Sequence, residues 1–258
     1  MNKNQEILEL SVGVGEALLS NGAEIYRVQE TIVRIIQSFG IEEYNVYVIS
    51  NGIFASMGER SQHPCHAIRN VPLGGVHLGR IAATNDLSRR ITASRGKGDL
   101  AEFRAELARC TKIERYPVWL SVLACATGAA CFGYMLGGTF FDACATFITG
   151  VILQLFRLFT SKHLSKHIVI IIGGVLVTAL SIALYEWGLG TRLDSIVIGA
   201  IIPMVPGIAL TTAIRDFFNG DHLSGTIHLV DALLIAASIA VGVGVTLRLW
   251  SFIQGVAL

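Results

Sequence analysis

The chain reads as a small α+β domain followed by a membrane-helical domain of about five spans. Three observations carry this reading. Hydrophobic residues make up 52% of the sequence and charged residues 15%, with a mean hydropathy of +0.59, well above that of a soluble domain. Charge is segregated: residues 1–115 are charge-rich, whereas 116–258 are mostly apolar. And one apolar stretch, Gly199 to Asp221, is interrupted by Pro203, Pro206 and Gly207. The predicted division is therefore a cytoplasmic α+β domain over 1–115 and a transmembrane helical domain over 116–258, its fourth helix broken by prolines.

Other classes find little support. A net charge of +1 gives no reason to expect nucleic acid. The polar start, MNKNQEILEL, carries no signal-peptide pattern. The five cysteines form neither C-x-x-C nor zinc spacing, so free thiols are expected. No cofactor is expected, since Gly74, Gly75 and Gly79 lack the G-x-G-x-x-G spacing and Gly13-Val14-Gly15 falls within a helical pattern. No metal site is expected either. His63, Cys65 and His66 are the nearest approach to one, and strand alternation puts 66 on the face opposite 63 and 65.

In the first half, Ile7, Leu10, Val14 and Leu18 recur at helical spacing and predict a helix over 5–20. Asn21 with Glu24 three residues later is an N-cap signature for a second helix, whose apolar stripe is Ile25, Val28, Ile32, Ile35 and Phe39. Its other side carries Glu24, Arg27, Glu30 and Arg34 at i+3 and i+4 spacing, the pattern of a solvated face. Gly40 ends it. Tyr44, Val46 and Val48 alternate, Asn51-Gly52 signals a hairpin, Ile53 to Met57 returns, and Cys65 to Val71 supplies a third strand. Helices are expected over 76–94 and 99–112, dense in arginine up to the junction at Arg115.

In the second half, a span needs roughly 20 apolar residues. Candidates are Pro117 to Leu136, Thr139 to Phe156, Ile168 to Trp187, Asp194 to Thr212 (broken) and Thr226 to Trp250. Arginines before the first span, Arg157, Lys162 and Lys166 between the second and third, and Arg215 after the fourth fall on one side; cation excess places that side in the cytoplasm, with the C-terminus outside. Tyr116, Trp119, Trp187 and Trp250 sit at span ends as interfacial anchors. Small residues in the spans favour close packing.

The broken span is the expected site. Proline lacks an N–H, so a helix here leaves the carbonyls of Gly199 and Ile202 without their usual partners. In hydrocarbon such a break is tolerated only against protein or a water-filled cavity. Helix restarts after Gly207, and its N-terminal end suits a carboxylate. The expected substrate-binding set is Gly199, Ile202, Pro203, Pro206, Gly207, Thr211 and Thr212. Asp231, Asp216, Asp142 and Arg215 are the gate or coupling candidates, because acidic residues within spans default to a functional role. An odd span count with no inverted second half implies a partner or a second copy.

GEALLSNGAEIYRVQETIVRIIQSFG, RYPVWL at the junction and VPGIALTTAIRDFFNGDHLSG together resemble the threonine/serine exporter (ThrE) family, and its half-length, YjjP-like members in particular. The resemblance implies an inner-membrane exporter of a small carboxylate-bearing metabolite, a threonine- or serine-type amino acid or a dicarboxylate such as succinate. It also implies a YjjB-like small membrane partner supplying the missing half. The family's motif positions here are Asn21, Gly22, Ala23, Arg27, Pro206, Gly207, Arg215, Asp216, Gly220, Asp221, Ser224 and Gly225. Two rival readings stand beside the exporter: a membrane-anchored enzyme with Glu24, Arg27 and Glu30 as its site, and a metabolite-sensing N-terminal domain.

Overall fold

The computed structural model describes residues 3–58, 64–72, 74–161 and 163–255; His63 and Lys162 lie outside these. The chain forms two compact units. One joins 1–115 with 212–227, and the other joins 116–211 with 228–258.

In the first unit, α1 (Lys3–Leu19) and α2 (Ile25–Ser38) precede an antiparallel sheet of β1 (Tyr44–Ile49), β2 (Gly52–Met57) and β3 (Cys65–Asn70), followed by α3 (Leu78–Ala93) and α4 (Leu100–Thr111). Strand order is β1-β2-β3, with Val48 opposite Ile53 and Ala55 opposite Ala67. One sheet face points inward through Val48, Ile53, Ala55, Met57 and Ala67, as alternation requires. The helix α1 is buried on more than the single stripe its periodicity shows: Leu8, Val12 and Leu19 are inside as well as Ile7, Leu10, Val14 and Leu18. It packs against α2 and the sheet on one side and α3 and α4 on another, so it is the spine of the core. Gly15 is the contact point; a Cβ there would stand 2.4 Å from Ile32 Cδ1.

One sequence expectation needs correction. Asn21 does not cap α2. The residue at that position is Glu24, which makes no side-chain cap bond, while Asn21 Nδ2 donates to the Ala17 carbonyl at 2.7 Å and so closes α1. The left-handed turn at Gly22 (φ +84°) separates the helices. It uses up the residues between Asn21 and Glu24, leaving Asn21 too far back to reach the first turn of α2.

In the second unit, α5 (Val118–Met135), α6 (Phe140–Thr160) and α7 (Lys166–Glu186) lead to α8 (Leu193–Ile201), a 3-10 turn over Ile202–Met204, and α9 (Gly207–Phe218), which enters the first unit at Thr212. The last helix, α10 (His222–Gln254), belongs to the second unit from His228 onward. Among the described residues, four helices are long and apolar enough to cross a membrane, and there are five if the pair bent by 58° at the prolines counts as one. Close packing comes from small residues. A Cβ on Gly199 would lie 2.6 Å from Gly133 Cα, and one on Gly242 would lie 2.4 Å from the Ile171 carbonyl oxygen. Leu153, Val177, Ala200, Met204, Ile235 and Ile239 form the largest apolar cluster of this unit, drawing in α6, α7, the broken helix and α10.

Candidate functional site

The proline break is built differently from its expectation. The Ile202 carbonyl is not left without a partner: it accepts from the Val205 N–H at 3.0 Å, because the chain tightens into a 3-10 turn before Pro206. Beyond it, the Gly207 N–H donates to the Val205 carbonyl at 2.9 Å, and Leu210 N–H reaches the Pro206 carbonyl at 3.0 Å. The carbonyl that meets a cation is that of Pro203, which accepts from Arg157 Nη1 at 3.4 Å. Arg157 comes from the C-terminal part of α6.

A cavity of about 390 Å³ opens at this point, lined by Arg157, Ser161, Lys166, Pro203, Val205 and Ile235 among others. Lys166, at the first position of α7, donates from Nζ to both Asp231 carboxylate oxygens at 2.8 Å. Two cations and one carboxylate thus gather beside the helix break. A guanidinium has five N–H donors in a planar fork, and its single long bond to Pro203 leaves Arg157 donors for a further acceptor.

Of the expected binding set, Pro203 lines this cavity, and Ile202 and Pro206 shape the turn beside it. Gly199 is instead the contact glycine against α5. Gly207, Thr211 and Thr212 are not among the cavity residues. Thr211 turns its hydroxyl back to the carbonyls of Gly207 and Ile208, each at 3.0 Å. Arg157 and Lys166 were legible only as loop cations; no local spacing signal connects them to a break more than 35 residues further on.

Asp142 sits at the N-terminal end of α6 and is fully buried. Its Oδ1 accepts from the backbone N–H groups of Thr191 at 2.6 Å and Arg192 at 3.0 Å. Its Oδ2 accepts from Thr139 N–H at 2.7 Å, Thr139 Oγ1 at 2.8 Å and Thr191 Oγ1 at 3.1 Å. Thr139 and Asp142 form a reciprocal capping box. This carboxylate joins the start of α6 to the loop before α8, with its acceptor capacity filled.

The remaining motif residues meet in the first unit. Arg215 near the end of α9 is bonded to Glu24, which also pairs with Arg27 Nε at 3.5 Å. The N-terminal motif and the 212–227 segment thus come together through one carboxylate. Asp216 is buried, and its carbonyl accepts from Asp221 N–H at 2.9 Å. Asp221 Oδ1 accepts from the Ser224 N–H at 3.1 Å, starting α10. A Cβ on Gly225 would press on the Phe217 ring at 3.0 Å. Gly22 lies against Val76, and the Asn21 carbonyl accepts from the His77 N–H at 3.0 Å, tying the motif loop to the entry of α3. Among the described residues no group of three or more metal-ligating side chains occurs. Cys65 and His66 are successive residues of β3 and so face opposite ways.

Comparison with known proteins extends this picture. The family model described as "Putative threonine/serine exporter" matches residues 9–250. A "Probable threonine/serine exporter" of Mycobacterium tuberculosis is 26% identical over 95% of this chain, which spans only 46% of that relative. The "Probable succinate transporter subunit YjjP" of Escherichia coli is 23% identical, with 96% of both chains covered, and the Klebsiella aerogenes protein of the same name is 22% identical at the same coverage. No solved structure matches. These relatives are named as exporters or transporter subunits, not as enzymes. With nearly its whole length matched and its bent proline helix among the membrane-length segments, the chain belongs to the threonine/serine exporter family of membrane transport proteins.

Proposed function

We propose that this chain is one subunit of an inner-membrane secondary exporter for a small dicarboxylate. Its substrate-binding cavity lies at the proline break. The observation that carries the reading is Arg157 on the Pro203 carbonyl in one cavity with Lys166. Two cations suit two carboxylates. With Lys166 held by Asp231, the cavity offers Arg157 alone, enough for one carboxylate. A second carboxylate of the substrate competes with Asp231 for Lys166, so substrate loading is coupled to this ion pair.

The wider arrangement follows the same reading. Residues 1–115 form the cytoplasmic domain, joined by 212–227, and the remainder of 116–258 forms the transmembrane domain, with the C-terminus outside; the cation-rich ends of the spans on one side support this orientation. Counting the bent pair as one span gives five, and this set is completed by a YjjB-like membrane partner, or by a second copy of this chain inverted in the membrane. The word "subunit" in the names of the relatives that match end to end supports a partner. Asp142 holds the far end of the membrane unit together and takes no part in coupling. The Glu24–Arg215 pair acts as the cytoplasmic gate, since Arg215 sits on the helix that restarts after the break.

The amino-acid alternative uses the same cavity differently: Arg157 for the carboxylate and Asp231 for the ammonium. Efflux from cells loaded with labelled succinate, threonine or serine separates the two, each tested with this chain alone and with a YjjB-like partner. Succinate efflux that needs the partner and is lost in Arg157→Gln and Lys166→Gln supports the dicarboxylate reading. Threonine efflux that survives Lys166→Gln but not Asp231→Asn overturns it in favour of the zwitterion.

A further inference from the structure

A second basic cavity, of about 700 Å³, lies in the first unit between α2 and α3. Its walls carry four guanidinium groups, Arg27 and Arg34 of α2, Arg89 of α3 and Arg95 of the turn that follows, against the single carboxylate of Glu30. Arg27 and Arg34 are two helical turns apart and share a face with Glu30 between them. Arg95 is, among the described residues, the non-glycine residue at positive φ, at +48°, and Gly96 follows at +76°. The left-handed conformation costs a non-glycine residue roughly 1–2 kcal/mol, so the chain accepts strain at the residue that closes this wall.

The charges are unevenly satisfied. Arg34 is bonded to Glu30 at 2.6 Å and Arg27 pairs with Glu24 at 3.5 Å. Among the described residues, the side chains of Arg89 and Arg95 have neither an ion pair nor a hydrogen bond. They are not needed to join the two helices, whose apolar residues Ile32, Ile36, Leu87 and Ile91 belong to one buried core. Gathered guanidinium groups repel each other unless an anion enters, and the fork geometry of arginine matches phosphate and carboxylate oxygens two at a time. The volume is that of a small-molecule site.

We infer that this cavity binds a small, soluble multivalent anion bearing two or more phosphate or carboxylate groups. The inference concerns the first unit and does not rest on the transport reading. The same chemistry is offered by an acidic lipid headgroup, so the test must separate the two sources. Full-length protein in neutral detergent would be dialysed to equilibrium against labelled pyrophosphate and labelled tricarballylate at physiological salt, and tested for flotation with phosphatidylglycerol vesicles through an Arg89→Gln/Arg95→Gln comparison. At least one soluble anion is expected to bind one to one and to weaken at least tenfold in that double variant. Lys97→Gln/Lys112→Gln, which removes two exposed cations outside the cavity, should leave binding unchanged. Because neither Arg89 nor Arg95 is bonded to the fold, the double variant should melt as the parent does; Arg89→Gln alone, expected to weaken binding several-fold, provides a milder second reading. Binding of neither anion, equal weakening in both double variants, or an effect of Arg89 and Arg95 seen only with vesicles would overturn the inference.

Discussion

Two acids mark opposite kinds of place in the membrane unit. Around Asp142, five donors from two segments converge on one buried carboxylate, four of them at 3.0 Å or less. Around Asp231, the partner is the end of one long, flexible lysine beside a cavity and a helix break. Both are intramembrane acids to a sequence reader, and both were candidates for coupling. Geometry separates them. A carboxylate satisfied by backbone N–H groups cannot change partners without unsatisfying several buried donors, whereas a lysine pair exchanges one ion for another. The first arrangement fixes two segments to each other, and the second leaves one ion pair to be exchanged.

The largest expected effect lies at the anchored end. Asp142→Ala strands the N–H groups of Thr139, Thr191 and Arg192, and is expected to cost about 3 kcal/mol or more. Melting of the detergent-solubilised protein should fall by roughly 10 °C. An unchanged melting temperature would show that the loop before α8 does not depend on this carboxylate. Next comes Arg157→Gln, expected to reduce substrate counterflow at least tenfold while melting changes little, since only one long hydrogen bond to Pro203 is lost. Gly199→Ala inserts a methyl against Gly133 and is expected to destabilise by about 1–3 kcal/mol, read by the same melt.

The Lys166–Asp231 pair makes a further prediction. Asp231→Asn removes the carboxylate partner of Lys166 and is expected to change counterflow several-fold at fixed pH; an unchanged rate would remove Asp231 from coupling. The smallest effect is in the first unit, where the Arg90 guanidinium beside Glu106 holds that carboxyl below its usual 4.5. A carboxyl depressed in the folded state contributes stability that is present above its unfolded pKa and is lost as pH falls through the lower folded value. Glu106→Gln should therefore lower melting slightly at neutral pH and converge with the parent in acid.

Much of the architecture was legible because it is local. Periods of two and of three to four residues, the Asn51-Gly52 hairpin and the glycine stops locate the elements within residues 1–115, and apolar length locates the spans; that 212–227 packs with 1–115 was not legible. The proline break was legible as well, since Pro203 and Pro206 act on their own backbone. What the break would contain was not. Ile202 finds its partner through a 3-10 turn that proline permits but does not announce, and Arg157 reaches Pro203 only through the packing of α6 against the broken helix. Asn21 misled for a similar reason. An asparagine three residues before a glutamate carries the cap pattern, yet the left-handed Gly22 places it back on the helix it leaves. The bond between Arg215 and Glu24 was not legible, because it is a long-range pairing that no spacing rule encodes.

The distinction between the two ends is tested most directly by counterflow of labelled succinate in proteoliposomes containing the partner, expressed per folded molecule, for Asp142→Ala and Arg157→Gln side by side. Near-parental turnover per folded molecule is expected for the first and a loss of at least tenfold for the second. Parental turnover in Arg157→Gln, with Asp142→Ala inactive although folded, would contradict this assignment and move the working site to the other end of the membrane unit.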